Sequence, residues 1–98
     1  MKILAIEKEL PGAGVASEKF NLHAKAEALR VWKFYQSGVI RELYFRQDRH
    51  EAVLILECRD LAEAESLLNT LPLVKEKLIA IDLIPLAPYP GFARLFST

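Results

Sequence analysis

The sequence contains only one cysteine, Cys58, so no disulfide bond can form within the chain. This fits a reducing compartment. Cys58 follows an apolar strand pattern, where a lone cysteine usually serves as a small buried hydrophobe. One cysteine and two separated histidines provide no zinc-ligand spacing, and we therefore predict no metal site.

The chain also lacks an excess of either charge, since its 98 residues include 13 basic and 13 acidic side chains. We therefore expect neither nucleic acid nor an anionic membrane as a partner. Long hydrophobic runs are missing as well: Glu7 ends the first apolar stretch, and Asp82 and several prolines interrupt the last. These stretches are too short for a secretory signal or a membrane span, which predicts a soluble, cytoplasmic protein.

Phosphate-binding glycine loops are missing too, because residues 12–14 (GAG) lack the third glycine and the lysine of the known fingerprints. No serine or cysteine stands in a recognisable nucleophile motif. The sequence thus predicts no bound cofactor.

What the chain does contain is strands that are apolar on both faces. In 52–58, Leu54 and Leu56 form one row while Val53 and Ile55 form the other, and 78–86 has the same character. When one face of a sheet is exposed to solvent, apolar and polar residues should alternate along each strand. Two helices can cover only one face, so we expect a second copy of the chain to cover the other.

The order of elements predicts a ferredoxin-like α+β fold, βαββαβ, with a four-stranded antiparallel sheet and two helices on one face. In this arrangement the first and third strands are central, and an edge position for the last strand suits Pro85. The predicted strands are 2–8, 39–46, 52–58 and 78–86; one helix lies between Ser17 and Gly38, and the other begins after Asp60 and ends at Pro72.

We expect residues 1–98 to form a single domain whose last ten residues, 89–98, act as a docking tail. The tail carries Phe92, Leu95 and Phe96, which are too apolar to remain in water without a partner surface. It is predicted to dock onto its own subunit or onto a neighbour.

Two segments resemble the muconolactone isomerase-like branch of the dimeric α/β-barrel proteins: 38–44 (GVIRELY), with Arg49 beyond it, and 68–73 (LNTLPL), followed by Pro85. The resemblance implies that two ferredoxin-like subunits pair sheet to sheet as a homodimer or a larger homo-oligomer, with the helices outside. It also implies a small organic ligand. At Glu42 the isomerase has a more basic, imidazole-type residue, so the resemblance indicates the fold more strongly than the reaction.

Moving a double bond in an unsaturated lactone requires a base, a donor that stabilises the enolate, and a site that returns the proton. Asp82 is the only acid inside an apolar strand, where burial would raise its pKa. The catalytic candidates are Asp82, Glu42 and His50. Each also has a simpler interpretation: an edge-strand charge for Asp82, a surface pair for Glu42, and a solvated turn residue for His50.

The substrate-binding candidates are two arginines and two aromatic residues: Arg41, Arg49, Tyr44 and Trp32. A carboxylated substrate favours a guanidinium, and Arg41 is expected in the same strand row as Leu43 and Phe45. An ion pair for Arg41 and core packing for Trp32 are the structural alternatives.

Three functions are compatible with these patterns. The preferred one is a small-molecule-binding dimeric α/β-barrel protein that acts as a cofactor-independent isomerase on an unsaturated lactone-like or aromatic-derived substrate. The others are a non-catalytic dimerising or regulatory module and a cofactor-free monooxygenase. A cavity of several hundred Å³ would favour a ligand-binding protein over the module.

Overall fold

A computed structural model of the protein describes residues 1–11 and 17–97. One antiparallel sheet with strand order β2-β3-β1-β4 is packed against helices, which confirms the predicted ferredoxin-like fold and the central position of the first and third strands. The elements are β1 (Lys2–Glu9), α1 (Glu18–Ser37), β2 (Ile40–Phe45), β3 (Ala52–Glu57), α2 (Leu61–Leu68), α3 (Pro72–Lys75), β4 (Ile79–Pro85) and a 3-10 turn (Gly91–Leu95).

Both long helices begin at the predicted capping residues. The Ser17 hydroxyl accepts a hydrogen bond from the Phe20 N–H at 3.0 Å, and the Asp60 carboxylate accepts one from the Glu63 N–H at 2.8 Å. α1 ends at Gly38, whose φ of 87° lies in the left-handed region that glycine adopts without strain. These local signals mark the starts of both helices and the end of α1.

Pro72 does not end the second helix as predicted. α2 ends at Leu68, and Pro72 occupies the first turn of the separate helix α3. Proline suits this position because the first N–H groups of a helix have no intrahelical acceptor.

The core lies between the sheet and the helices. Its three largest fully buried side chains are Ile3, Ile40 and Leu56, and Phe34 of α1 packs against the same cluster. Burying side chains of this size contributes roughly 1.5–3 kcal/mol each. Cys58 is also buried in this cluster, as expected, and burial raises the pKa of its thiol.

The opposite side of the sheet, here called the open face, has an apolar centre formed by Leu4, Ile6, Val53, Ile55 and Ile84. The register places Leu4 between Ile55 and Ile84, and Ile6 opposite Val53. Ile84 is 42% exposed. The core residues of α1 and α2 pack on the other face, so the structure agrees with the prediction that both faces are apolar.

After β4 the chain forms an apolar tail. Tyr89, Phe92, Leu95 and Phe96 are exposed by 67 to 83%, and the Tyr89 and Phe92 rings meet edge to face with centroids 5.1 Å apart. The molecule is elongated, at 62 × 28 × 20 Å. Within residues 1–11 and 17–97, no helix is both long and apolar enough to cross a lipid bilayer.

Candidate functional site

A cavity of about 470 Å³ lies between α1 and the helix-facing side of the sheet. This volume falls within the range of roughly 300–1,000 Å³ that is typical of small-molecule sites. The walls are mostly apolar and include few ionisable side chains. They are formed by Glu7, Phe20, Ala24, Glu27, Ala28, Val31, Leu43, Tyr44, Phe45, His50, Ala52, Leu54, Leu73, Ile79 and Ile81.

The space arises because small residues occupy the middle of both walls. α1 presents Ala24 and Ala28 between the larger Phe20 and Val31, and β3 presents Ala52 opposite them. An alanine leaves room where a leucine would reach across to the sheet. The cavity therefore results from the small volume of the side chains at these positions.

Glu7 supplies the first carboxylate of the cavity. It lies on the same side of β1 as Ile3 and Ala5, because alternate residues of a strand share a face. The regular pairing of β1 with β3 ends at Ile6 and Val53. One step further, the Glu7 carboxylate accepts the Ala52 N–H at 3.0 Å in place of a strand partner.

Burial raises the pKa of Glu7. The hydrogen bond from Ala52 and the charge of nearby His50 oppose this rise, because both favour the carboxylate form. A carboxyl group with a raised pKa at a cavity wall is a candidate for proton transfer.

Glu27 supplies the second carboxylate, from the cavity side of α1. It accepts the Leu73 N–H at 3.0 Å, one of the unpaired N–H groups in the first turn of α3. Burial raises the pKa of Glu27, and the negative charge of Glu7 raises it further. The hydrogen bond from the Leu73 N–H opposes this rise, and the two carboxyl groups line the same cavity.

An aromatic wall stands beside these groups. The His50 ring, in the turn between β2 and β3, lies 4.6 Å from the Phe45 ring and 6.5 Å from the Phe20 ring, centroid to centroid. Phe45 is 60% exposed, so this wall reaches the surface. It can hold the face of a flat ligand while His50 offers a polar edge.

Two of the seven predicted site residues, His50 and Tyr44, border the cavity. The Tyr44 hydroxyl donates a hydrogen bond to Glu42 at 3.0 Å, which raises the pKa of the Tyr44 phenol. Glu42 is exposed. Tyr44 pairs with Val53 and Glu42 with Ile55, so both belong to the open-face row of β2. Tyr44 therefore borders the cavity only at its rim, and its hydroxyl is engaged by Glu42.

The other predicted residues lie outside the cavity. Asp82 is on the open side of β4, where its carboxylate pairs with the Lys8 ammonium at 2.6 Å. Arg49 is exposed and 3.8 Å from the Glu51 carboxylate. Trp32 is 55% exposed and stacks on Tyr35 with centroids 6.1 Å apart.

Arg41 does not share a row with Leu43 and Phe45, contrary to the expectation from simple alternation. A β-bulge between Ile40 and Glu42 shifts the register, so Ile40 takes the buried position. The exposed Arg41 donates from Nε to the Gly38 carbonyl at 2.7 Å. It is not among the cavity residues.

Glu7 and Glu27 were missed by the sequence reasoning. The signal for Glu27 is its helical spacing, since Phe20, Ala24, Glu27, Val31 and Phe34 follow alternating steps of four and three and so share one face of α1. Glu7 carried a similar signal, since it continues the row of Ile3 and Ala5.

Among the described residues, no group of three or more histidine, cysteine, aspartate or glutamate side chains is placed to hold a metal ion. The ionisable groups of the cavity wall are the two glutamates, His50 and Tyr44. The chemistry they can perform directly is hydrogen bonding and proton transfer.

No protein-family model matches the chain, and no curated protein matches its sequence. Solved structures do match. A muconolactone isomerase, with 16% sequence identity, superposes with a TM-score of 0.76 over 93% of each chain. The 5-chloro-2-hydroxyhydroquinone dehydrochlorinase from Burkholderia phenoliruptrix AC1100, in complex with 2,5-dihydroxybenzoquinone, has 17% identity and a TM-score of 0.65 over 93% of this chain and 98% of the other.

These matches show that the chain has a muconolactone isomerase-like fold, as the resemblance predicted. Both similar proteins are enzymes named for reactions of small organic molecules. The fold is thus one that supports small-molecule chemistry.

Proposed function

We propose that the protein is a cofactor-independent enzyme that moves a proton within an unsaturated, lactone-like or aromatic-derived ring held in the cavity beneath α1. The observation that carries the proposal is the presence of two interacting carboxyl groups, Glu7 and Glu27, in an otherwise apolar cavity of about 470 Å³. The fold likeness to an isomerase and to a dehydrochlorinase supports it.

The two carboxyl groups have different roles. Burial raises the pKa of both Glu7 and Glu27, and a backbone N–H opposes the rise in each case. We assign Glu7 as the base, since His50 beside it also favours the ionised form of Glu7. Glu27 is assigned as the acid, since the charge of Glu7 adds to burial in raising its pKa.

The proposed reaction begins when Glu7 removes a proton from the carbon next to the ring carbonyl. The resulting enolate oxygen accepts a hydrogen bond from protonated Glu27, and the proton held by Glu7 returns to the far carbon of the conjugated system. One C–H bond breaks and another forms, so the product is an isomer and no electrons enter or leave.

A test is to incubate α,β- and β,γ-unsaturated γ-lactones with the protein in D₂O and to follow isomerisation and deuterium incorporation by proton NMR. We expect both to depend on the protein. Glu7→Gln should lower the rate by about 100-fold or more, which is the usual contribution of a general base. The exposed Glu65 of α2 provides the matched control, since Glu65→Gln removes an acid from outside the cavity.

One observation favours a non-catalytic module as the second candidate. Each cavity glutamate already accepts a backbone N–H, from Ala52 or Leu73, and could therefore serve only to join elements of the fold. A protein that catalyses no exchange with any lactone of the series, while remaining folded, would support the module and contradict the enzyme.

The proposed assembly is a homodimer formed through the open face. Leu4, Ile6, Val53 and Ile55 form its apolar centre, and the Lys8–Asp82 ion pair lies on its β4 side. An apolar centre with polar groups around it is the usual composition of a protein interface. In this arrangement Asp82 is an interface residue.

A further inference from the structure

Acidic side chains outnumber basic ones among the described residues that line the cavity. Glu7 and Glu27 are its acids, and no arginine or lysine is among the lining residues that the structure describes. The undescribed residues 12–16 have the sequence GAGVA and carry no charged side chain. A ligand in the cavity therefore meets two carboxyl groups and one imidazole.

The arginines close in sequence to the cavity residues have other partners. Arg30, next to Val31, donates from Nε to the Thr70 hydroxyl at 3.1 Å and lies over the Phe34 ring. Arg46 contacts Asp48 and Glu51, Arg49 contacts Glu51, and Arg41 donates to a backbone carbonyl. Glu51 is only 8% exposed, so the arginines beside it neutralise a buried charge. None of these arginines is among the described lining residues, so the cavity wall holds no bidentate clamp for a ligand carboxylate.

An anionic ligand would be unfavourable in this environment. A carboxylate entering the apolar cavity would lose its hydration and face the charge of Glu7, with no arginine or lysine among the described lining residues to pair with. An uncharged ring with hydroxyl or carbonyl groups would meet no such penalty. Its hydroxyl can donate to a Glu7 oxygen, and its carbonyl can accept a hydrogen bond from Glu27 or His50.

We propose that the cavity selects uncharged hydroxylated or carbonyl-bearing rings and excludes their carboxylated counterparts, with Glu7 and Glu27 as the residues that determine this specificity. A cavity of about 150 Å³ already accommodates benzene, so 470 Å³ leaves room for one substituted ring. This inference rests on the site in the proposed function, but not on a reaction taking place there.

The test compares two probes that differ mainly in charge, methyl 4-hydroxybenzoate and 4-hydroxybenzoate, at pH 7.5. Binding is measured by isothermal titration calorimetry, and the site is located by chemical-shift changes in the amides of Ala52 and Leu73. We expect the ester to bind at least about tenfold more tightly than the acid, a difference of about 1.4 kcal/mol.

In the double variant Glu7→Gln, Glu27→Gln the preference should fall to about threefold or less, because both acidic groups are removed while amide oxygens remain to accept the backbone N–H groups. Glu65→Gln should keep the full preference. Melting temperatures of all variants establish that each is folded, and Glu7→Gln, which removes the charge of the base, replaces the double variant if the latter unfolds.

Equal binding of the two probes, tighter binding of the acid, or binding of neither would overturn the proposal. A preference for the acid that disappears when residues 89–98 are removed would also overturn it, and would indicate that Arg94 of the tail reaches the cavity. Ester binding without lactone turnover would contradict the proposed function alone. Turnover together with a preference for the acid would contradict this inference alone.

Discussion

The Glu7 carboxylate accepts the backbone N–H of Ala52 at 3.0 Å at the point where β1 and β3 stop pairing. A side-chain carboxylate thus takes the place of the backbone carbonyl that would accept this N–H in a regular sheet. A parallel replacement occurs nearby, where the Glu51 carboxylate accepts the Glu9 N–H at 3.1 Å. These two side-chain hydrogen bonds extend the contact between β1 and the start of β3 beyond their regular backbone pairing. The hydrogen bond of Glu7 also holds its carboxyl group at the cavity.

The raised pKa of Glu27 gives a prediction about stability and pH. The folded protein holds this proton more tightly than the unfolded chain, so the free energy of unfolding falls as pH rises from the ordinary value of 4.5 through the higher folded pKa. The destabilisation is absent below 4.5 and complete above the folded pKa. Glu27→Gln should therefore gain stability relative to the wild type as pH rises from 4 to 8.

Melting temperatures of the two proteins across this pH range provide the measurement. A change of ~0.5 kcal/mol would shift the melting temperature by about 2–4 °C in a domain of this size. As a control, the melting temperature of the exposed Glu65→Gln variant should not rise relative to the wild type with the pH dependence expected for Glu27→Gln. A Glu27→Gln difference that stays constant from pH 4 to 8 would contradict the raised pKa.

Filling the cavity should remove ligand binding without harming the fold. Ala24 faces the cavity from α1, and Ala24→Leu adds three carbon atoms where space already exists. We expect affinity for the uncharged ester probe to fall by about tenfold or more, while the free energy of unfolding changes by less than ~1 kcal/mol. Ala26→Leu, at an exposed position of the same helix, should leave affinity unchanged; equal losses in both variants would place the ligand elsewhere.

The open face should control self-association. Ile55→Lys puts a charge at its centre, between the rows of Leu4 and Glu42, and should convert a dimer at tens of micromolar into a folded monomer. Light scattering and circular dichroism measure the two properties. Leu22→Lys, on the surface of α1 where Leu22 is 76% exposed, should remain dimeric, and a wild-type protein that is monomeric would disprove the proposed assembly.

The tail is proposed to dock onto a protein surface. A chain ending at Pro88 loses Tyr89, Phe92, Leu95 and Phe96, which together expose a large apolar area. We expect a lower melting temperature, by about 4 °C or more if docking contributes ~1 kcal/mol, or a smaller assembly by light scattering. Unchanged melting temperature and unchanged size would show that the tail has no docking surface.

Several features of the fold were predictable because their causes are local. Ser17, Asp60 and Gly38 mark helix ends through hydrogen bonds and backbone angles that involve only neighbouring residues. The alternation in β3 likewise depends on the period of the strand alone. For Pro72, the local rule was incomplete, because proline suits both the end of one helix and the start of the next.

The candidate site was less predictable because its residues come together from distant positions. Glu7 and Ala52 are 45 residues apart, and Glu27 and Leu73 are 46 apart. Arg41 shows the same limit within one strand: a bulge, which alternation does not reveal, turned it away from the cavity. His50, a catalytic candidate from the sequence, does border the cavity, and its catalytic role stays a prediction. Its contacts with the Phe45 and Phe20 rings were not predicted.

The sequence by itself determined the order of the strands and the two main helices, the starts of both helices, the end of α1 and the two apolar faces of the sheet, since these follow from periods and caps that act over a few residues. Only the tertiary structure decided which carboxyl groups share a cavity and which arginines stay outside it. The reason is that burial and charge proximity, which set the chemistry of the site, depend on distances between elements that are far apart in the chain.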